Sequence, residues 1–375
     1  MVDSLRVLSI LGTRPEAIKM APVVAALQRC PEQITALTCA TAQHRELLDQ
    51  VLGLFGIVPD VDLDVMRPGQ TPSQVAARIL LELEPVLQQL HPDWVLVQGD
   101  TTTVLAAALA AHYLRIRVGH VEAGLRTGDR WNPFPEESNR VLTDHVSDLC
   151  FAPTVQAQAN LLAEGIPFNR ILITGNTVID ALLTVAQQPW RPLPGSPLAA
   201  LLPDSRLVLI TAHRRENFGA PFQNICRALR EIAENAPHVT LVYPVHPNPN
   251  VYEVAHRELA GIPNLVLLPP VDYLTLVNLM KRSVVILTDS GGIQEEAPTF
   301  GVPVLVLRET TERPEAVEAG VARVVGTDPK RIVAETLELL QDAAAHAAMA
   351  RVANPYGDGR AAERIVRALL DADGR

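Results

Sequence analysis

The chain has 375 residues, enough for two domains, and its 48% hydrophobic and 20% charged residues are typical of a globular protein with large cores. A net charge of −10 argues against nucleic acid or an anionic membrane as its main partner. No apolar run approaches the roughly 20 residues that cross a bilayer, and no cleavable targeting segment is visible, so we expect a cytoplasmic protein.

The four cysteines, Cys30, Cys39, Cys150 and Cys226, have neither CxxC nor metal-ligand spacing. We expect them to be small core residues of a protein in a reducing compartment.

The first predicted strand, residues 5–11, ends at Gly12 and leads into an amphipathic helix. Arg14 and Lys19 bracket the start of that helix. Open α/β sheets bind ligands at the carboxyl ends of their strands, so two cations at this point suit a phosphate. A pair of solvated surface cations is the simpler interpretation. The second predicted strand, residues 34–40, leads to Gln43 and His44 before another helix.

Three carboxylates, Asp60, Asp62 and Asp64, alternate with apolar residues after that helix. An Asp-x-Asp pattern can hold a divalent ion on a nucleotide sugar. An edge strand or turn with solvated carboxylates is the stronger interpretation, and we expect no metal site.

Carboxylates follow two later strands. Residues 94–97 form a buried strand that leads to Asp100, before a helix at 104–114. The strand at 117–121 leads to Glu122. A Pro-rich loop then opens a helix with Glu136 and Glu137 in its first turn. Asp100 could merely cap its helix, the commonest role of such a residue. Several acids at strand ends around one site are nevertheless a pattern that indicates acid/base chemistry.

Strand and helix continue to alternate through the second half. The strand at 171–174 is expected to leave the first domain, and five prolines make residues 187–205 linker-like. The strand at 207–211 ends in AHRREN, which includes His213, and the strand at 239–242 ends in YPVHPNPN. We therefore predict an α/β protein of two Rossmann-like, doubly wound domains with a central cleft. The predicted domains are 1–175 and 176–358, with a helix in 359–375 packing back on the first.

The most informative stretch, residues 284–313, reads VVILTDSGGIQEEAPTFGVPVLVLRETTER. It predicts a buried strand, a glycine turn with capping side chains from Thr288, Asp289 and Ser290, a short helix cut by Pro298, and another strand. The N–H groups at the helix start would face an anion such as a phosphate. An ordinary αβ turn is the plain alternative. Arg308 and Arg313 nearby favour a nucleotide-sugar diphosphate site.

Ten segments in order resemble the bacterial non-hydrolysing UDP-N-acetylglucosamine 2-epimerases over nearly the whole chain. They are GTRPEAIKMAP, GDTTT, HVEAGLRTGD, PEESNR, GNTVIDAL, HRRENFG, VYPVHPNPNV, LTDSGGIQEEAP, TTERPEAV and NPYGDG. The resemblance implies a fold of the GT-B glycosyltransferase type and a homodimer. It also implies interconversion of UDP-GlcNAc and UDP-ManNAc for cell-surface polysaccharide synthesis, without a cofactor or a metal.

The resemblance also implies residue roles. Asp100, Glu122 and Glu136 match the family's catalytic carboxylates, and His213 matches the residue that assists departure of UDP. The positions that match UDP-sugar binding are Arg14, Lys19, Asp100, Glu122, His213, Ser290, Gly291, Gly292, Glu296 and Arg313. Residues 271–276, including Asp272 and Leu276, are expected to hold the uracil.

Some members of the family are activated by UDP-GlcNAc at a second site. Gln43, His44, Gln70 and His246 resemble parts of that site. Gly69 stands where activated members have an Arg directly before the Gln, so one phosphate-binding cation is missing here.

Three other functions remain open from the sequence. A GT-B glycosyltransferase would share the fold and the UDP site but needs an acceptor site and no second proton-transfer group. A nucleotide-sugar sensor would need no intact acids. A hydrolysing epimerase would release ManNAc and UDP. Product analysis separates them.

Overall fold

The computed structural model describes residues 4–41, 45–67, 69–192, 194–200 and 205–374. The chain divides into two compact units. Unit 1 comprises Met1–Leu183 and Tyr356–Arg375, and unit 2 comprises Thr184–Pro355. The division falls near the end of a helix rather than at residue 175, because the first turns of that helix bury Ile179 and Leu182 completely. Unit 2 ends at Pro355, three residues earlier than the predicted end of the second domain.

Each unit contains one parallel sheet. The described strands are β1 Leu5–Leu11, β2 Ile34–Ala40, β3 Val61–Asp62, β4 Trp94–Gln98, β5 Arg117–Val121, β6 Leu149–Ala152, β7 Ile171–Ile173, β8 Arg206–Thr211, β9 Val239–Pro244, β10 Leu265–Leu268, β11 Ser283–Thr288, β12 Val304–Val306 and β13 Ala322–Val324. In unit 1 they are ordered β3-β2-β1-β4-β5-β6-β7, and in unit 2 they are ordered β10-β9-β8-β11-β12-β13.

Helices connect the strands. They are α1 Arg14–Gln28, α2 Arg45–Phe55, α3 Pro72–Leu90, α4 Thr102–Tyr113, α5 Glu136–Val146, α6 Val155–Ala163, α7 Thr177–Val185, α8 Ala220–Asn235, α9 Pro249–Leu259, α10 Tyr273–Arg282, α11 Gly291–Glu296, α12 Pro314–Glu318, α13 Pro329–Gln341, α14 Ala343–Ala350 and α15 Ala361–Ala372. Short 3₁₀ helices cover Phe168–Arg170, Pro197–Ala200, Arg215–Asn217 and Ala297–Phe300. The prediction of two Rossmann-like α/β domains is confirmed by this architecture.

Apolar strands explain why the sheets are interior layers. Every residue of β4 is buried, as parallel strands covered on both faces require. In unit 1, Ile79 and Leu83 of α3 pack in one cluster with Val95 and Val97 of β4. In unit 2, Phe222 and other apolar residues of α8 pack against β8, β9 and β11. The Asp-x-Asp stretch contributes β3, a short strand at the sheet edge.

The order of the strands determines where a ligand can bind. In unit 1 the strand order reverses between β1 and β4, and in unit 2 it reverses between β8 and β11. Loops that leave such a pair of strands diverge to opposite faces and leave a crevice at their carboxyl ends. The loops that begin at Gly12 and Gly99 therefore define the crevice of unit 1, and those that begin at Ala212 and Asp289 define that of unit 2.

The last helix belongs to unit 1. Helix α15 contacts α1, and both carboxylate oxygens of Asp180 on α7 accept hydrogen bonds from its first turn, from Ala361 N at 3.2 Å and Ala362 N at 2.9 Å. Burial raises the pKa of Asp180 against the effect of these bonds. The amide groups of a helix start are thus satisfied by a residue that lies far away in sequence.

Two smaller findings complete the fold. None of the described helices combines the length and the apolar character needed to cross a bilayer. Cys39, Cys150 and Cys226 are buried free thiols, and burial raises the pKa of Cys39 and Cys226 to about 12. Cys30 is only partly buried, so the prediction of a core position is wrong for that residue, which follows the end of α1.

Candidate active site

The loops on the two sides of the unit 1 crevice are joined by Glu16. One oxygen of this buried carboxylate accepts hydrogen bonds from Gly12 N at 2.9 Å and Thr13 N at 3.3 Å. The other oxygen accepts from the Thr101 hydroxyl at 2.8 Å. Burial raises the pKa of Glu16, although these hydrogen bonds oppose the shift. The loops after β1 and β4 are therefore held together by one side chain whose oxygens are both engaged.

Asp100 lies at the carboxyl end of β4 and does not cap α4. The cap is Thr101, whose hydroxyl accepts a hydrogen bond from Val104 N. This leaves the Asp100 carboxylate for an ion pair with Arg140 at 2.5 Å. Asn139 donates to the Asp100 carbonyl oxygen at 2.9 Å. The capping interpretation is wrong, and Asp100 keeps 31% of its side chain exposed.

Glu122 is held in an uncommon backbone conformation. Its φ of 69° lies in the left-handed region, which costs a residue other than glycine about 1–2 kcal/mol. Its side chain is 9% exposed, and the carboxylate forms an ion pair with Lys19 of α1. Strained backbone at a strand end is most often retained where it orients a functional group. This ion pair places Lys19, a predicted binding residue, in contact with Glu122, a predicted catalytic residue.

Two adjacent acids open α5 and differ in their contacts. Glu137 is buried, and one of its oxygens accepts hydrogen bonds from Thr127 N and Gly128 N at 3.0 Å each. It thereby holds the loop that precedes the helix. The Glu136 carboxylate, by contrast, has neither a hydrogen bond nor an ion pair within the part of the chain that the structure describes, and the residue is partly exposed. An acid without a partner is available to a substrate.

Arg14 is the first residue of α1 and is partly buried. The positive end of the helix dipole disfavours a cation at this position. No hydrogen-bond or ion-pair partner of its guanidinium lies in the described ranges. An anionic ligand would remove the unfavourable charge, so the position suits the predicted phosphate contact.

In unit 2 the loop after β8 is organised by Asp289, which directly follows β11. The fully buried Asp289 carboxylate accepts hydrogen bonds from His213 N and Arg214 N, each at 2.8 Å. It also accepts from the Asn217 amide at 3.0 Å. The sequence predicted that Asp289 would help cap the next helix. Asp289 instead binds the neighbouring loop, because β8 and β11 are adjacent in the sheet.

The His213 ring lies above this carboxylate. Its Nδ1 is 3.7 Å from an Asp289 oxygen, and 39% of its side chain is exposed. The ring stacks on His246, with centroids 5.3 Å apart and planes 15° from parallel. Burial lowers the pKa of His213, Asp289 opposes this, and His246 and Arg214 lower the pKa further. The imidazole is therefore held towards its neutral form.

The glycine turn after β11 has free polar groups. Ser290 occupies the cap position of α11, but its side chain makes no capping bond, and Thr288 Oγ1 instead accepts from Ser290 N at 2.9 Å. A Cβ at Gly291 would lie 3.7 Å from the Arg313 guanidinium and 3.8 Å from that of Arg214. The turn thus brings together the Ser290 hydroxyl, two glycines and the guanidinium groups of Arg214 and Arg313. Helix α11 itself has only 6 residues.

Ion pairs with carboxylates hold the arginines of this region. Arg313 pairs with the buried Glu295, and Arg308 pairs with Glu216 and, at 3.4 Å, with Glu312. Burial raises the pKa of Glu312, but Arg214, Arg308 and Arg313 outweigh it, and the net shift is downward. The predicted ribose partner, Glu296, is buried on α11.

The region expected to hold uracil borders a cavity of about 420 Å³. Asp272 lines the cavity and caps α10 by accepting from Thr275 N at 2.7 Å. Trp190, from the segment predicted as a linker, also lines it and donates to the Thr275 hydroxyl at 3.1 Å. Leu276 is partly buried in the first turn of α10.

The residues of the implied second site are partly described. Gln43 and His44 lie outside the described residues. Gln70, in unit 1, accepts from Arg67 N at 2.5 Å. His246, in unit 2, stacks on His213 and accepts from Asn248 N at 3.1 Å. Gly69 has a φ of 75°, which an arginine would adopt only with strain.

Arg214 and Arg140, which lie at these sheet edges, were not predicted from the sequence. Arg214 directly follows His213 in the HRRENFG segment, and this position was the available signal. Arg140 lies in PEESNR, but its ion pair with Asp100 depends on a contact between α5 and the β4 loop. That contact leaves no mark in the local sequence pattern.

Two Rossmann-like α/β units, one with acids and the other with a glycine turn and arginines at the carboxyl edge of its sheet, are typical of enzymes that act on nucleotide sugars. The comparisons identify the family. The UDP-N-acetylglucosamine 2-epimerase family model matches residues 25–370. The UDP-N-acetylglucosamine 2-epimerase of Salmonella typhimurium is 55% identical over 97% of this chain and 98% of that relative. Escherichia coli K12 has a relative of the same name that is 55% identical, with 97% and 98% covered.

The solved structures agree with the sequence comparisons. UDP-GlcNAc 2-epimerase from Neisseria meningitidis, solved with bound UDP-GlcNAc, is 47% identical and has a TM-score of 0.87, with 98% of this chain and 100% of that chain covered. The chain therefore belongs to the UDP-N-acetylglucosamine 2-epimerase family. The resemblance stated from the sequence is confirmed, whereas the individual residue roles and the central cleft stay predictions.

Proposed function

We propose that the protein interconverts UDP-GlcNAc and UDP-ManNAc without net hydrolysis. The observation that carries this beyond family membership is the state of the acids at neighbouring strand ends. Asp100 follows β4 and pairs with Arg140, and Glu122 follows β5 and pairs with Lys19. Each carboxylate is held beside a cation, and a bound diphosphate could take over that cation and leave the carboxylate to the sugar.

The chemistry explains why acids and an anion site must be combined. The C2 hydrogen of the sugar is not beside a carbonyl, so direct deprotonation is prohibitively slow. Breaking the C1–O bond sends its electron pair to UDP and acidifies C2–H. Loss of that proton to a base gives 2-acetamidoglucal. UDP then adds back to C1 while an acid protonates C2 from the opposite face, which inverts C2. The reaction needs proton-transfer groups on both faces of the ring.

Three carboxylates supply those groups in this proposal. Asp100, Glu122 and Glu136 take the acid/base roles. His213 assists UDP departure by hydrogen bonding, since its lowered pKa favours the neutral imidazole over the imidazolium. The developing charge on the diphosphate is stabilised by preorganised donors, for which Ser290, the amides of the glycine turn and the arginines are the available groups.

The rest of the nucleotide is assigned by the same logic. Arg14, Lys19, Ser290, Gly291, Gly292 and Arg313 bind the diphosphate, Glu296 accepts from the ribose hydroxyls, and the cavity beside Asp272 and Leu276 takes the uracil. We also propose a cytoplasmic homodimer that supplies ManNAc units for cell-surface polysaccharide. The site must exclude solvent while the glucal exists, because an intermediate lost to solvent would not return.

Activation at a second UDP-GlcNAc site is tested separately. His246 would communicate with the reaction directly, because its ring stacks on that of His213. A sigmoidal dependence of the UDP-ManNAc reaction rate on added UDP-GlcNAc would indicate activation. A UDP-ManNAc reaction rate that does not rise with added UDP-GlcNAc would indicate that Gly69 has removed a cation that the site needs.

The decisive experiment is proton NMR of UDP-GlcNAc with the purified protein in D₂O. The expected product is UDP-ManNAc with deuterium at C2 and no free UDP. Free UDP with ManNAc would replace this proposal by the hydrolysing reaction. UDP binding with an unchanged spectrum would favour the glycosyltransferase or the sensor. Asp100→Asn serves as the control that should retain nucleotide binding and lose the reaction.

A further inference from the structure

One buried histidine in unit 1 contacts two segments that bear catalytic candidates. His120 is the fourth residue of β5 and is 0% exposed. Its Nδ1 is 2.6 Å from Asp144 Oδ1, and its Nε2 is 2.7 Å from the carbonyl oxygen of Gly99. A carbonyl oxygen can only accept, so Nε2 donates to Gly99, and Nδ1 shares a hydrogen bond with the Asp144 carboxylate. The ring thereby bridges the residue before Asp100 and a residue of α5.

Asp144 extends this bridge to a third segment. Its Oδ2 accepts from Gly124 N at 3.2 Å, two residues after Glu122. The same oxygen accepts from Arg126 Nη2 at 2.7 Å. On α5, residues 136, 140 and 144 are four apart and share one face of the helix. Glu136, Arg140 and the anchored Asp144 are therefore carried by the same helix face.

The backbone beside this pair contains one strained position. Gly99, Glu122 and Gly124 all have φ between 69° and 86°, which glycine adopts freely and Glu122 does not. A Cβ at Gly124 would lie 2.3 Å from the Ala157 carbonyl oxygen, so the loop passes close to α6. A left-handed residue other than glycine persists where surrounding contacts over-determine it. The hydrogen bonds of His120 and Asp144 are such contacts, because they hold the residues two before and two after Glu122 in the chain.

Stability alone is a weak reason for the pair. A buried ion pair is often no more stabilising than apolar residues of equal volume. Burial raises the pKa of Asp144, but His120 and Arg126 outweigh burial and lower it overall. Other charged groups lie close to the cluster. Glu164 pairs with Arg126, and Arg170 and Asp148 interact electrostatically with the Cys150 thiol, which contacts the Asp144 carbonyl oxygen at 3.6 Å.

We propose that His120 and Asp144 are positioning residues that set the spacing of Asp100, Glu122 and Glu136 for proton transfer at C2. This inference rests on the proposed epimerisation. The pair touches no reacting atom. It acts by fixing the Gly99 carbonyl, the Gly124 amide and the inner face of α5, so that the three acids keep the separation that the sugar ring requires.

The test compares His120→Gln and Asp144→Asn with the wild type. A displacement of about 1 Å at the acids can cost roughly a hundredfold in rate, so we expect kcat to fall by about 10- to 100-fold. We expect the KM for UDP-GlcNAc and the Kd for UDP to change by less than about twofold. In D₂O, deuterium at C2 of recovered UDP-GlcNAc should increase relative to UDP-ManNAc formed, because inversion depends on both proton-transfer groups being in place.

A matched control separates positioning from loss of stability. Leu83→Ala removes a fully buried side chain of α3 in the same unit and should lower Tm at least as much. Its kcat and its ratio of exchange to inversion should stay at wild-type values. The same change of ratio in Leu83→Ala would overturn the proposal. So would a normal ratio in both His120→Gln and Asp144→Asn.

Two measurements keep the inference testable under other outcomes. The kcat of the double variant should be no lower than that of the less active single variant, because the two residues act as one unit. Additive losses would contradict this. In the wild type, nitrogen-edited NMR should show a slowly exchanging proton on Nε2 of His120. The absence of that proton would overturn the bridge even if the variants fail to fold. A wild type with this proton but no epimerisation would refute the proposed function and leave the geometry of the bridge intact.

Discussion

The carboxyl edges of the two sheets are built in different ways. In unit 1 two of the three candidate acids are paired with side chains, Asp100 with Arg140 and Glu122 with Lys19. In unit 2 the central acid, Asp289, is occupied by main-chain N–H groups of the loop after β8. Side-chain partners can be exchanged for a ligand at modest cost, whereas backbone partners cannot be released without rebuilding the loop.

This difference matches two tasks. Proton-transfer groups must change their partners during a reaction, so ion pairs at the edge of a crevice suit them. A site for a leaving anion must be rigid before the charge develops, which buried Asp289 provides for the segment containing His213 and Arg214. Variants that change the edge of one sheet at a time can separate effects on the reaction rate from effects on UDP binding.

The largest effect is expected in unit 1. Asp100→Asn or Glu122→Gln removes a proton-transfer group but little volume, so kcat should fall roughly 10²–10⁴-fold. UDP affinity measured by calorimetry should remain near the wild-type value. Glu84→Gln on the exposed face of α3 is the matched control and should keep its activity. Near-normal turnover in both site variants would refute the acid/base assignment.

The next effect is expected in unit 2. Arg313→Ala removes a guanidinium beside Gly291 and leaves the buried Glu295 without this cation. Charge-assisted hydrogen bonds contribute about 1.5–3 kcal/mol, so the Kd for UDP should rise about ten- to a hundredfold. Arg313→Lys should recover only part of the affinity, because a point charge lacks the planar fork of donors. An unchanged Kd in Arg313→Ala would exclude the diphosphate contact.

Asp289→Asn tests the scaffold of the unit 2 edge. The amide that replaces one oxygen would face N–H donors, so we expect a loss of about 1–3 kcal/mol in the free energy of unfolding. Denaturant unfolding measures this loss, and UDP binding should weaken in parallel. Asp328→Asn, at the N-cap of α13, is a control for an exposed acid. Equal, small losses in both variants would show that Asp289 has no special structural role.

The smallest effect concerns pH. The folded-state pKa of His213 is lowered, chiefly by burial and also by His246 and Arg214, against the effect of Asp289. Its contribution to stability is thus present above the unfolded pKa of about 6.5 and is lost as pH falls through the folded value. His246→Asn removes one cause, so NMR titration should show a higher His213 pKa. A lower pKa in this variant would contradict the assigned cause.

Local sequence patterns were sufficient for most elements. Strands β1, β2, β5 and β10 begin and end at the predicted residues, because mostly apolar runs mark buried parallel strands. The glycine turn, the break at Pro298 and the last amphipathic helix were also readable from the chain. The family was recognisable because its motifs keep both residue types and order.

Other features depended on contacts between distant segments. The sequence alone determined which residues stand at strand ends and which chemistry they can perform. Only the tertiary structure decided that Asp100 pairs with Arg140, that Asp289 binds the His213 loop, and that His120 links Gly99 to α5. The physical reason is that these contacts join segments that are neighbours in the fold but far apart in the chain. Local propensity describes each segment and not the partner that the sheet brings to it.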